Sequence, residues 1–190
     1  MNKPNLTIGL CGAQGVGKST LAKRLTEELN LPLITEQARK AAGALGLDKL
    51  PNPRTEVALS NAFQNLCLHY QIEEENKYPS FISDRTTIDN ALYYLMNNAF
   101  HGEPADNILY YQKCIENAKR YNLLVYIPIE FELKDDGFRD NNRFRQQEAD
   151  FLIKGLLETM NPYYVIARGT VEKRVSTVLE LSNVLLKKEG

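Results

Sequence analysis

Two hydrophobic periods divide the 190-residue chain. Short apolar runs of strand length recur at Leu6-Thr7-Ile8-Gly9-Leu10-Cys11, Leu33-Ile34-Thr35, Phe81-Ile82-Ser83, Leu123-Leu124-Val125-Tyr126-Ile127 and Tyr163-Tyr164-Val165-Ile166-Ala167. Between them, apolar residues return at helical spacing. Leu21, Leu25 and Leu29 predict a first helix over 21–29, and a second covers 37–45 with Gly46 near its end. Pro51-Asn52-Pro53 breaks the chain. A long helix then runs from Arg54 to about Lys77, with Val57, Ala62, Phe63, Leu66 and Tyr70 on one face. Tyr78-Pro79 stops it. Thr86 or Thr87 can cap the next helix, which holds Leu92, Tyr93, Leu95 and Met96. Residues 106–121, 143–160 and 171–187 read as further helices. Strands alternating with helices predict a parallel sheet covered on both faces, with ligands at the carboxyl ends of its strands.

The pattern contains no repeat, low-complexity tract or Pro/Gly-rich linker, so residues 1–190 read as one domain. Charged residues make up 25% and hydrophobic residues 43% of the chain, an ordinary soluble balance. The net charge is −1, so no global positive field draws the protein to nucleic acid or anionic membrane. The longest apolar runs are strand-sized, which argues against a spanning helix. Met1-Asn2-Lys3-Pro4 leads almost directly into the first strand and leaves no room for a signal peptide. Cys11, Cys67 and Cys114 lack metal-ligand or disulfide spacing, and His69 and His101 lack ligand spacing. A reducing, cytoplasmic setting is the expectation.

Chemistry enters with Gly12-Ala13-Gln14-Gly15-Val16-Gly17-Lys18-Ser19-Thr20, which matches G-x-x-x-x-G-K-[ST] between a predicted strand and a predicted helix. Backbone N–H groups and the positive end of the helix dipole converge there on phosphate oxygens. Lys18 would reach the β- and γ-phosphates, and the Ser19 hydroxyl would ligate Mg²⁺. The sequence thus predicts a three-layer P-loop NTPase fold that binds a nucleoside triphosphate.

Three charged clusters follow strands. Asp84-Arg85 comes after Phe81-Ile82-Ser83: Asp84 can hold the magnesium or its water, or cap a helix. Arg85 can clamp a substrate oxygen or the phosphoryl group, or pair with Asp84. Glu36 and Arg39 follow the second strand. Glu36 can orient or deprotonate an acceptor hydroxyl, or the two can form a surface ion pair. The third cluster, Asp135-Asp136-Gly137-Phe138-Arg139 with Arg143 and Arg145, lies in a polar segment at about 130–145. It reads as an arginine-bearing lid over the triphosphate, or as a solvated loop balanced by Asp140, Glu148 and Asp150. Phe63-Gln64, like Tyr93 or Tyr94, can stack on and hydrogen-bond a base or serve the core. Gly169-Thr170 can approach adenine or make a plain turn.

Glu36-Gln37-Ala38-Arg39, Ser83-Asp84-Arg85-Thr86, the 135–139 run and Gly169-Thr170-Val171-Glu172-Lys173-Arg174 together carry a resemblance. The chain resembles the P-loop kinase group that holds the nicotinamide riboside kinase domain of bacterial NAD regulators and many bacterial and phage AAA-type ATP-binding proteins. More distantly it is similar to deoxynucleoside and thymidylate kinases. The resemblance implies ATP with Mg²⁺ as donor and Lys18, Ser19 and Asp84 as donor-side machinery. It also implies Glu36 as the base and Asp84-Arg85-Thr86 as the motif ending the third strand, with threonine in place of that motif's serine. Nothing matches the adenylyltransferase portion of the bifunctional NAD proteins. The expected acceptor is a nucleoside, nucleotide or related small molecule. The alternatives are a hydroxymethylated base in DNA, as in phage-type kinases, or no acceptor at all, as in a regulatory ATPase.

Overall fold

The structure, a computed structural model, describes residues 5–131, 142–160 and 163–188. Its elements in chain order are β1 (Thr7–Cys11), α1 (Lys18–Leu29), β2 (Leu33–Ile34), α2 (Ala38–Ala44), α3 (Val57–Asn76), β3 (Phe81–Ser83), α4 (Thr87–Asn97), α5 (Pro104–Ala118), β4 (Leu123–Tyr126), α6 (Arg143–Met160), β5 (Tyr164–Ile166) and α7 (Val171–Lys188).

The strands form one parallel sheet in the order β2-β3-β1-β4-β5. Ile8 pairs with Ile82 on one side and Leu123 on the other, and every residue of β1 is buried. A strand covered on both faces needs apolar residues at odd and even positions, which explains its continuous apolar run. On one side of the sheet α1 packs against α7; elsewhere α4 packs against α3, α5 and α6. Leu21, Leu25, Ile88, Leu92, Ile153 and Val178 carry these helices into the core. Each such buried aliphatic side chain contributes about 1.5–3 kcal/mol relative to exposure. The architecture is the three-layer α/β P-loop fold.

Element boundaries depart from the hydrophobic pattern for identifiable reasons. The first helix begins at Lys18, because the loop turns into it directly through Gly17 at φ 93°. The long helix begins at Val57, not Arg54. Asn52 and Glu56 close a turn ahead of it, with Glu56 N donating to Asn52 O at 2.8 Å and Asn52 N to a Glu56 carboxylate oxygen at 2.8 Å. The helix expected over 106–121 runs from Pro104 to Ala118. Proline suits a first helical position, and Tyr121 leaves the helix to turn its hydroxyl into the core.

Two changes of direction prepare the site. From β1 the chain passes outward to β2 and returns to β3; β4 then lies on the opposite side of β1. The carboxyl ends of β1 and its neighbours meet at this reversal, where parallel sheets open a ligand crevice.

Candidate active site

The loop after β1 is held tightly. At Gly12, φ 150°, a Cβ would lie 2.5 Å from the Ile127 carbonyl oxygen, so only glycine lets the loop pass β4. Gln146 on α6 donates to the Gln14 carbonyl at 2.7 Å, and the Tyr93 hydroxyl lies 3.5 Å from Gln14 Oε1. Ala13 and Val16 are buried, whereas Gly15, Ser19 and Thr20 are exposed. The Lys18 ammonium is buried and donates to the Gly12 and Ala13 carbonyls at 2.6 and 2.7 Å. Gly15, Gly17, Lys18, Ser19, Thr20, Asp84 and Arg85 line a cleft of about 190 Å³.

Asp84 reaches this cleft from the end of β3. Thr86, not Asp84, caps α4: its side chain accepts from Asp89 N while the Asp89 carboxylate accepts from Thr86 N at 3.0 Å. Burial raises the Asp84 carboxyl above its usual pKa; its hydrogen bond with Ser19 and the charges of Lys18 and Arg85 act the other way. Asp84 Oδ1 is buried without a hydrogen-bond partner. An orphaned carboxylate oxygen beside a serine hydroxyl fits a magnesium site, because Mg²⁺ takes one or two protein oxygens and completes its shell with water and phosphate. No group of three or more His, Cys, Asp or Glu side chains gathers for another metal among the described residues.

Beyond Arg85 a second cavity, of about 230 Å³, is walled by Gln14, Glu36, Phe63, Gln64, Asn90 and Tyr93, among others. Arg85 lines both cavities. Its Nε lies 2.6 Å from Glu36 Oε1, its Nη1 lies 3.6 Å from Asp89 Oδ1, and its guanidinium sits 5.0 Å from the centre of the Tyr93 ring. Glu36 therefore reaches across to Arg85. Arg39 faces a separate open groove with Lys40, Ser19 and Asp84. Cys67 also lines the second cavity, but burial, with Glu36 adding, pushes its thiol up to about 12, so it stays protonated at neutral pH.

Other sequence-derived candidates fall differently. Arg143 is exposed at the first residue of α6 and lines none of these cavities; Arg145, one turn's partial rotation away, lines the second and donates to Asn97 Oδ1 at 2.9 Å. The Gly169 N–H is already donated to Glu130 at 2.7 Å. Arg139 and the rest of the 132–141 segment, which holds most of the expected lid, lie outside the described residues.

A family model described as an AAA domain matches residues 7–174. The chain belongs to this AAA-domain family. Among solved structures, it is similar to the deoxyadenosine kinase of M. mycoides, with a TM-score of 0.66 at 13% identity, covering 95% of this chain and all of that one. It is similar to the thymidylate kinase of Candida albicans, with a TM-score of 0.63 at 17% identity over 97% and 93% of the two chains. It is also similar to the NadR protein in complex with NR, with a TM-score of 0.58 at 20% identity over 87% and 46%. The chain spans about half the length of the NadR chains it matches. No curated protein matches significantly. At these identities the likeness is one of fold.

Within this AAA domain, several site residues escape sequence reasoning. Asp89 is fully buried, 3.9 Å from the Lys18 ammonium; the T-x-x-D spacing from Thr86 is a capping-box signal that would have located it. Asn90 brings a buried side-chain nitrogen without a hydrogen-bond partner to the second cavity. Arg174 is buried beneath the phosphate loop; it closes the Gly169–Arg174 run that carries the resemblance, but that run assigns it no role.

Proposed function

We propose that this chain is an ATP- and Mg²⁺-dependent kinase that transfers the γ-phosphoryl group to a hydroxyl of a nucleoside or related small molecule. The observation that carries this reading is the Glu36–Arg85 pair, placed where the phosphate cleft and the second cavity share a wall. A cleft for a donor and a separate cavity for an acceptor, joined at an acid–base and cation pair, is the arrangement that group transfer needs. Hydrolysis alone needs no second cavity.

Glu36 on the cavity wall suits an alcohol as the reacting group, while Arg145 on the same wall offers a counter-charge to a phosphate carried elsewhere on the acceptor. Arg85 is neutralised by Glu36 at 2.6 Å and faces Asp89. The Glu36 carboxylate would repel a phosphate dianion as the reacting group but accept a proton from a hydroxyl. Phe63 and Tyr93 supply flat apolar surfaces and Gln64 and Asn90 supply amides, a set that suits a heterocyclic base.

In this reading Ser19 and Asp84 hold the magnesium ion, which neutralises charge on the phosphate oxygens. Lys18 exchanges the Gly12 and Ala13 carbonyls for the β- and γ-phosphates. Glu36 takes the hydroxyl proton as the acceptor oxygen bonds to the γ-phosphorus. The bond from γ-phosphorus to the bridging oxygen breaks, ADP leaves, and Arg85 stabilises charge on the transferring group. Arg139, Arg143 and the 130–145 segment belong to the same reading as the cover of the triphosphate, and Arg39, in the groove it shares with Ser19 and Asp84, as a contact to the acceptor where it meets the γ-phosphate.

ATP consumption measured with separate nucleosides, nucleoside monophosphates, nicotinamide riboside and a hydroxymethylated oligonucleotide tests this directly. One of the small alcohols is expected to raise turnover. Glu36→Gln is expected to lower kcat by about 10²–10⁴-fold with little change in ATP KM. Unchanged turnover in that variant would remove Glu36 as the base. A rate indifferent to every acceptor would make the chain a regulatory ATPase, and transfer only to the oligonucleotide would make it a DNA-base kinase.

A further inference from the structure

The Arg174 guanidinium lies at a junction outside both cavities. The side chain is 1% exposed, in the first turn of α7. Nη1 donates to the Val16 carbonyl at 2.7 Å, and Nη2 donates to the Glu130 carboxylate at 2.8 Å. The same Glu130 oxygen accepts from Gly169 N at 2.7 Å, and Arg168 lies 3.5 Å from its other oxygen. The Phe131 ring covers the guanidinium at 5.2 Å. One buried cation thus ties the phosphate loop to the segments that follow β4 and β5.

We infer that Arg174 is a positioning residue for the phosphate loop, aiming the Gly17 N–H at the bound polyphosphate by fixing the carbonyl of the same peptide unit. A trans peptide points its C=O and N–H in opposite directions. The Val16 oxygen is held on the Arg174 side, so the Gly17 N–H of that peptide faces away from Arg174. Gly17 lines the phosphate cleft, and Arg174 does not. A Cβ at Gly17 would stand 3.4 Å from Arg174 Nη1, which shows how closely the guanidinium backs the loop. Its charge also polarises the peptide so that the N–H becomes a better anion donor. Gly17, at φ 93°, has no side chain to hold this orientation, and a buried arginine in a fixed fork supplies the restraint instead. Glu130 in turn fixes the fork.

This inference rests on the reading that the Gly12–Thr20 loop binds a polyphosphate, so the wild type is titrated first with MgATP and with inorganic tripolyphosphate. Absence of binding there would defeat that reading and leave Arg174 without a role. With binding established, Arg174→Lys keeps the charge but loses the two-pronged geometry. Its Kd for tripolyphosphate and for MgATP is expected to rise by about tenfold or more. The acceptor KM should stay within about twofold, and the Gly17 amide resonance should lose much of its tripolyphosphate-induced shift. A folded variant with wild-type Kd and Gly17 shift would overturn the inference, because a merely structural arginine would move neither. If the lysine variant does not fold, the unaltered protein carries the test: Arg174 side-chain N–H resonances should be resolved and slow to exchange with and without tripolyphosphate. A freely rotating, rapidly exchanging guanidinium would equally overturn it.

Discussion

Glu75 places a carboxylate with no exposed surface on α3, one turn beyond Gln71, which lines the second cavity. Its Oε1 accepts from the Tyr121 hydroxyl and from Gln71 Nε2, each at 2.6 Å, while Oε2 has no hydrogen-bond partner. Gln71 continues the network to Ser83 Oγ and the Arg85 carbonyl, so this carboxyl braces the strand end that presents the Asp84–Arg85 pair. Burial raises the Glu75 pKa, and hydrogen bonds from Tyr121 and Gln71 offset only part of that rise. A carboxyl with a raised native pKa binds its proton more tightly folded than unfolded. Its contribution is therefore most favourable at low pH and is lost as pH rises from the ordinary carboxylate range through the raised value. Glu75→Gln keeps an oxygen for Tyr121 and Gln71 and removes the buried charge. The variant is expected to gain in Tm relative to the wild type as pH increases from 4 to 8, and to be at least as stable at pH 8. A difference independent of pH would contradict this account. None of this was legible in the sequence, where Glu75 reads as one of five consecutive polar residues, Glu73 to Lys77, at the end of a helix. Burial of a charge depends on what packs above it, and Tyr121 arrives from 46 residues away.

At the scale of elements, α4 starts directly after Asp84-Arg85 and sets its buried Asp89 3.9 Å from Lys18 and 3.6 Å from Arg85. Thr86 closes a capping box with Asp89, and the Thr86 methyl packs on β1, where a Cβ at Gly9 would come within 2.7 Å of it. That contact gives threonine a packing role in the position where the resembling kinases carry serine. Thr86→Ala should destabilise the domain by about 1 kcal/mol or more through loss of the cap, and Thr86→Ser should keep the cap and lose only the methyl contact. Urea denaturation of the three proteins measures this; equal midpoints would contradict the cap's contribution. Among the described residues, the hydrophobic pattern located all five strands and every long helix, because strand and helix periods are local properties. Helix ends were less legible: the Asn52–Glu56 turn and the departure of Tyr121 from α5 are set by side chains meeting backbone or distant groups. That the phosphate loop, Glu36 and Asp84-Arg85 gather at one crevice was legible because each directly follows a strand, whereas Phe63-Gln64 showed only as an aromatic–amide pair on the long helix, open between a base contact and the core. The pairing of Glu36 with Arg85 was not legible, since it depends on β2 and β3 lying side by side.

For the whole molecule, the sheet order brings three separate stretches to one crevice: the loop after β1, the end of β2 and the end of β3. Helix α3 then walls the second cavity through Ser60, Phe63, Gln64, Cys67 and Gln71. No described helix is long and apolar enough to cross a membrane. The Gly12–Thr20 loop lies at this crevice, and in the proposed reading the adjoining cavity is what separates a kinase from a simple hydrolase. Phosphorus NMR of the wild-type protein with MgATP and a nucleoside tests that claim most directly. The account predicts that the γ-phosphorus signal is replaced by a phosphomonoester signal as ADP appears, and that Lys18→Ala abolishes the conversion. ATP left intact with every alcohol offered, or orthophosphate released at the same rate whether or not an alcohol is present, would contradict it.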